Sequence, residues 1–295
     1  METKKNELIW FVLLIFVFSS CNSDDVGHIS ESQIQFTAGY ANDNLSRTGI
    51  DVVSNVFWDP GDVINVNGKK STKTTVFSGS SAASFSFDAT ILAPTYYAYY
   101  PAEKVSAFDD LAHMFEVTLP DSQTYRNDHS FSNSVNPAVA VSENTYLYFY
   151  NLCGMLRIPI TTNGEAVKAR FLSADHVVSG SAVVNPLDKN LTITGDGMYV
   201  DITALPSAGA YTLIWVLPAA TYGAGWKIQL LSADGNVISQ KTFVSELTIK
   251  RSYVAYVQSI YDFPKDETPT IGTESEIIYD YVDSDSEWSS YDIGF

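Results

Sequence analysis

The sequence predicts an all-β protein built as two β-sandwiches in series, and three observations predict it. Short runs of alternating apolar and polar residues recur along the 295-residue chain, bounded by Gly, Pro, Asn or Asp, as half-buried strands joined by turns require. Tyrosine occurs 18 times within an aromatic content of 13%, and aromatic side chains suit pleated, half-buried surfaces. Amphipathic helical periodicity is missing, with room for one short helix over 102–114. No repeat of roughly 20–50 residues is visible, which argues against a solenoid.

The chain opens on a leader. Lys4 and Lys5 precede an uninterrupted apolar run over 8–18, closed by Ser19-Ser20-Cys21. Such a run rises only about 16 Å as a helix, roughly half of a bilayer core, so it reads as a signal peptide and not an anchor helix. An ordinary cleavage site needs small residues but no cysteine. Cys21, placed after two small residues and before Asn22-Ser23-Asp24-Asp25, resembles a bacterial lipobox. That motif implies cleavage before Cys21, a thioether lipid on its sulfur and acylation of the new amine. The alternative is a secreted protein in which the cysteine is accidental. Ser23-Asp24-Asp25 also resembles the acidic signal that sends some lipoproteins to the outer face of the membrane.

Residues 21–32 form a polar tether, and strands follow it. Residues 34–38 read Ile-Gln-Phe-Thr-Ala, apolar at every second position, and Asn42-Asp43-Asn44 breaks the pattern. Runs at 52–58 and 63–66 flank the turn Asp59-Pro60-Gly61-Asp62. Runs at 85–87, 96–100 and 115–119 come next, the last two stopped by Pro101 and Pro120. A second block begins near Asn144, with runs at 146–150, 155–160, 169–173, 181–184, 191–194, 211–217, 226–231, 237–242 and 253–261. Asn163-Gly164 and Asp234-Gly235-Asn236 are hairpin signals, and Thr194-Gly195-Asp196-Gly197 reads as a third hairpin turn. The predicted divisions are a leader at 1–20, a tether at 21–32, sandwiches at 33–143 and 144–263, and a C-terminal segment at 264–295. Pro137 and Asn144 mark the boundary between the sandwiches.

Residues 264–295 change character, with nine acidic side chains and one basic. Yet Ile277-Ile278-Tyr279-Asp280-Tyr281-Val282 is strand-like, and Trp288, Tyr291, Ile293 and Phe295 follow. A solvated tail rarely carries so many large apolar side chains. The segment either folds back on its own domain or buries itself in another chain. Period two puts Ile277, Tyr279 and Tyr281 on one wholly apolar or aromatic face.

Net charge is −17, which argues against nucleic acid or anionic lipid as a partner. Membrane attachment then rests on the lipid at Cys21, leaving Cys153 alone and no disulfide available. Leu152-Cys153-Gly154-Met155 reads as a buried strand, so Cys153 is expected to be an inert core thiol. His28, His113, His129 and His176 share no metal-ligand spacing, and neither a nucleophile elbow nor a phosphate-binding glycine loop is present. Asp109-Asp110 could in principle be an acid pair, but adjacent loop residues normally point apart. No catalytic residue, metal or cofactor is therefore expected. Arg47 is the sole basic residue of the turn-rich stretch 42–49, which is what an arginine-specific protease needs.

Several motifs stand in a telling order. Arg47-Thr48 follows the first strand, then Trp58-Asp59-Pro60-Gly61-Asp62-Val63-Ile64-Asn65-Val66 and Tyr97-Ala98-Tyr99-Tyr100-Pro101. Leu119-Pro120-Asp121-Ser122-Gln123, Asn136-Pro137-Ala138-Val139-Ala140 and Phe149-Tyr150-Asn151-Leu152 continue the series. Ser179-Gly180-Ser181 and Ile249-Lys250-Arg251-Ser252-Tyr253-Val254 close it. In this order, behind a lipobox, they resemble the fimbrillin family, whose members build the shaft, tip or anchor of surface fimbriae in Gram-negative anaerobes. The resemblance implies two transthyretin-like sandwiches, export to the outer membrane surface, and a supporting role in adhesion. It further implies a protease cut between Arg47 and Thr48 that removes the first strand. A neighbour's C-terminal strand then fills the groove, with Ile277, Tyr279 and Tyr281, or residues 288–295, as donor. The implied partners are other fimbrial subunits and, through Cys21, the outer membrane. An anchor or accessory subunit would instead keep its lipid and stay uncut. A reading of another class is a surface glycan-binding lipoprotein, with Trp58, Trp226 and Trp288 stacking on sugars; the alternative for these tryptophans is core packing, which the turn beside Trp58 favours.

Overall fold

The computed structural model describes residues 34–40, 49–50, 56–77, 80–88, 90–128, 130–162, 164–257, 261–262 and 277–280. Among them the protein is all-β, with no α-helix and one 3-10 turn at Ala102–Lys104. The short helix expected over 102–114 is replaced by a hairpin of Val105–Asp109 and Met114–Leu119. The reason lies in the turn. The Asp109 carboxylate accepts the N–H groups of Leu111 and Ala112, both at 2.8 Å, and His113 sits at φ 56°. Neither is compatible with a continuing helix.

The first large sheet runs in the order Lys69–Lys70, Asn65–Val66, Tyr96–Tyr100, Ala138–Ser142, Tyr146–Asn151, Ile34–Tyr40, Ala83–Phe87. Alternation decides its inner face: Phe36 and Ala38, Phe85 and Phe87, Leu147 and Phe149, Ala138 and Ala140 all enter one core. Trp58 stands at its centre, edge-on to Phe85, Tyr100 and Phe149 at centroid separations of 5.1, 5.4 and 5.6 Å. The turn beside it is tied down. Asp62 accepts the Asp59 N–H at 2.7 Å and the Tyr100 hydroxyl at 2.8 Å, and Arg126 pairs with Asp59 at 3.0 Å.

A second core lies between two five-stranded sheets. One is ordered Ser122–Thr124, Tyr199–Thr203, Lys168–Leu172, Lys227–Leu231, Val237–Thr242. The other runs Gly209–Pro218, Cys153–Thr162, Val254–Val257, Ile277–Asp280, with Tyr261–Asp262 continuing along Cys153–Thr162. Leu156, Ile158, Phe171, Trp215, Trp226 and Ile228 meet inside. Asp234-Gly235-Asn236 closes the hairpin of Lys227–Leu231 and Val237–Thr242 as expected, with Gly235 at φ 81°. The other two turn signals resolve differently. The strands before and after Gly164 belong to different sheets, as do those flanking Gly195-Asp196-Gly197. Gly195 instead lies against Gly180 and Ser181, where a Cβ would meet the Ser181 nitrogen at 2.8 Å. This glycine serves close backbone contact, not a hairpin.

Chain order and core membership do not run in parallel. Glu143 and Asn144 fall between Ala138–Ser142 and Tyr146–Asn151, which pair antiparallel within the first sheet. The strand after residue 144 therefore still serves the first core, while Ser122–Thr124, earlier in the chain, already belongs to a sheet of the second core. Met114–Leu119 pairs with Gly180–Asn185 in a four-stranded sheet. That sheet packs Phe115, Val117, Ala182 and Val184 against Tyr99 and Val139 on the back of the seven-stranded sheet. Gln123 adds a second tie. Its amide donates to the Val216 carbonyl at 2.8 Å and accepts the Val216 N–H at 3.0 Å, imitating one residue of a neighbouring strand on an otherwise edge strand. Gln123→Ala strands both buried backbone groups, so equilibrium urea unfolding is expected to show a loss of about 2–4 kcal/mol.

Candidate assembly site

Two segments singled out by the sequence are strands, and they are held in different ways. Ile34–Tyr40 lies between two neighbours, parallel to Tyr146–Asn151 and antiparallel to Ala83–Phe87. The register places Thr37 opposite Tyr146 and Gly39 opposite Tyr148 on one side, with Phe36 opposite Phe85 on the other. Phe36 and Ala38 are fully buried. The Phe36 ring meets Phe87 and Tyr96 edge-on, at 5.5 and 4.8 Å between centroids. Burial of such a ring contributes about 1.5–3 kcal/mol. Without this strand, facing backbone N–H and C=O groups on both neighbours lose their partners and the wall of the first core opens.

Ile277–Asp280 has one neighbour in its sheet order. It pairs antiparallel with Val254–Val257, placing Ile277 across from Val257 and Tyr279 across from Ala255. Val257 and Ala255 belong to the second core, whereas Val254 faces a smaller cluster with Cys153 and Met155. Directly opposed residues share a face, so Ile277 and Tyr279 occupy register positions on the side of the larger core. Ile277–Asp280 is thus paired within its own chain. Among the described residues it is held by one ladder, whereas the first strand is held by two.

Cys21, Arg47, Thr48 and Tyr281 lie outside the described residues, as do His28, His129 and Trp288. Trp58 and Trp226 are fully buried; Trp226 stacks on Phe243 at 3.6 Å. Neither ring is available to a sugar, which removes the two described tryptophans from the glycan-binding reading. Cys153 is buried, and burial pushes its thiol well above the ordinary range. His113 stacks on Tyr97 at 4.3 Å and His176 pairs with Asp175 at 2.7 Å. Asp109 is held below the ordinary carboxylate range by the N–H groups it accepts. Among the described residues no group of His, Cys, Asp and Glu is placed to hold a metal ion.

Sequence reading missed the strands Ser122–Thr124, Ala138–Ser142 and Tyr199–Thr203. The first of these is three residues long, and no local pattern announces that Gln123 bonds a strand 93 positions away. The alternation in Ala138–Ser142 was legible only as a motif.

No protein-family profile matches the sequence, and no curated protein matches it. Among solved structures the chain is similar to a candidate cell adhesion protein from Bacteroides ovatus, at 12% identity and a TM-score of 0.47 over 85% of this chain and 97% of that one. It is also similar to a candidate cell adhesion protein from Bacteroides uniformis, at 14% identity and a TM-score of 0.43 over 85% and 98% of the two chains. A third similarity is to the C-terminally truncated tip fimbrial protein Mfa3 of Porphyromonas gingivalis, at 11% identity and a TM-score of 0.34 over 84% and 98%.

Proposed function

We propose that this chain is a non-catalytic structural subunit of a cell-surface fimbrium, exported as a lipoprotein on Cys21 and assembled by strand exchange to support adhesion. One observation carries the reading. Ile34–Tyr40 is wedged between two strands with Phe36 and Ala38 in the core, and the candidate processing residue Arg47 follows it in sequence. A doubly paired strand does not leave by thermal fluctuation, so a covalent cut beyond its end is the physical means of freeing its slot. The singly paired segment Ile277–Asp280 is the matching mobile element, with Ile277, Tyr279 and Tyr281 as the face that enters a neighbour. Its partners on this reading are subunits of the same or a related kind. Lipid on Cys21 holds the chain at the outer membrane until the cut, since two or more acyl chains anchor stably where one does not.

The test is the N-terminus of protein recovered from the cell surface. A subunit that polymerises begins at Thr48, and Arg47→Ala leaves the uncut form and no fibres. An anchor retains lipidated Cys21 at the base of fibres. Surface protein that is neither cut nor associated with fibres overturns the proposal.

A further inference from the structure

The back of the seven-stranded sheet is covered over only part of its width. Under the four-stranded sheet, Tyr99 and Val139 are buried. The cover stops at Tyr150, which the Lys189 ammonium caps at 3.4 Å from the ring centroid. Beyond that step the face is open. Tyr146 and Tyr148, two residues apart on one strand, are each 59% exposed. Their rings stand about 7 Å apart along the strand, on the same side.

Their described strand neighbours across the sheet are uncharged. Thr37 lies directly opposite Tyr146, and Ser84 opposite Thr37. Gly39 lies opposite Tyr148, and nothing approaches within 4 Å of where its Cβ would be. The next pair on the same face is Gln35 with Ser86. In a chain of net charge −17, this face offers no carboxylate, ammonium or guanidinium from its strand positions. It offers two amphipathic rings on a flat shelf, bordered by hydroxyl and amide groups.

We propose that this shelf binds a neutral polysaccharide. A pyranose ring has an apolar C–H face that stacks on an aromatic side chain, and a rim of hydroxyls that exchange hydrogen bonds with Ser, Thr and Gln. The two rings are spaced to take neighbouring sugars of one chain, and the missing side chain at Gly39 leaves room for them. Among the described residues a nucleic acid or sulfated glycan meets a single ammonium, Lys189 at the Tyr150 edge, and it is repelled by the molecule as a whole. Both rings belong to Tyr146–Asn151, whereas Gln35, Thr37 and Gly39 belong to the first strand, so the shelf described is that of the uncut chain.

The test uses the full-length protein with dextran, yeast mannan and galactan as neutral probes and heparin as the charged control, read by biolayer interferometry. Retention of at least one neutral polymer is expected, with none of heparin. The exposed-site variant Tyr146→Ala/Tyr148→Ala is expected to bind at least ten-fold more weakly at unchanged melting temperature. Absence of neutral-polymer binding, equal binding by the variant, or equal binding of heparin overturns the proposal. So does a variant that merely converts a dimer to a monomer in sedimentation, since the shelf is then an interface between copies.

Discussion

Phe36→Ala is expected to cost about 3–5 kcal/mol of stability, the range for emptying a packed aromatic site. The ring has no exposure, and its edge-on contacts with Phe87 and Tyr96 cannot be remade by a methyl group. Chemical denaturation of the uncut chain measures it: the midpoint falls with little change in slope. The same number sets the requirement on any strand that replaces Ile34–Tyr40. An incoming strand must bring a large apolar side chain to the Phe36 position and restore two backbone ladders. A loss below about 1 kcal/mol, within the ordinary effect of a surface substitution, would mean that the strand is not a structural part of the first core.

Deleting residues 264–295 is expected to cost a comparable amount, yet to be decisive for assembly. The ladder between Ile277–Asp280 and Val254–Val257 spans four residue pairs, and at roughly 0.5–1.5 kcal/mol per hydrogen bond its loss removes about 2–6 kcal/mol. The second core keeps Trp215, Trp226, Phe171 and the Leu156–Ile160 face, so the truncated protein stays folded. Circular dichroism and thermal unfolding are expected to give a β spectrum, a lowered midpoint and a still cooperative transition. Collapse of the fold would mean that the segment is a fixed structural strand and unfit for donation.

The strands readable in advance were those whose local pattern and punctuation agree. Tyr96–Tyr100 has aromatic density and Pro101 behind it, and Val237–Thr242 follows Asp234-Gly235-Asn236. Both appear at the expected positions. What failed was partnership. Asn163-Gly164 has hairpin chemistry, but Cys153–Thr162 finds its antiparallel partner in Gly209–Pro218. Turn residues fix the local reversal and not which strand lies alongside. Residue 144 interrupts an apolar pattern, yet that interruption is the bend between two strands of one sheet. Trp58, beside a turn, is core as expected, whereas Tyr146 and Tyr148 are exposed rings that a strand pattern alone cannot assign to an uncovered face. The candidate processing and lipidation residues, Arg47 and Cys21, rest on chemistry local to a few positions and lie outside the described residues.

The most direct test of strand exchange begins with the purified full chain, cut by an arginine-specific protease. The cut protein is chased with a synthetic peptide of residues 273–283 or left alone. Without peptide, ladders of copies that resist sodium dodecyl sulfate until boiled are expected, with the 34–40 strand released into solution. Excess peptide is expected to hold the protein as monomer, and Tyr279→Asp in the full chain is expected to abolish the ladder. A cut protein that keeps the 34–40 strand bound and stays monomeric, or a ladder unaffected by the tail peptide and by Tyr279→Asp, would contradict the account.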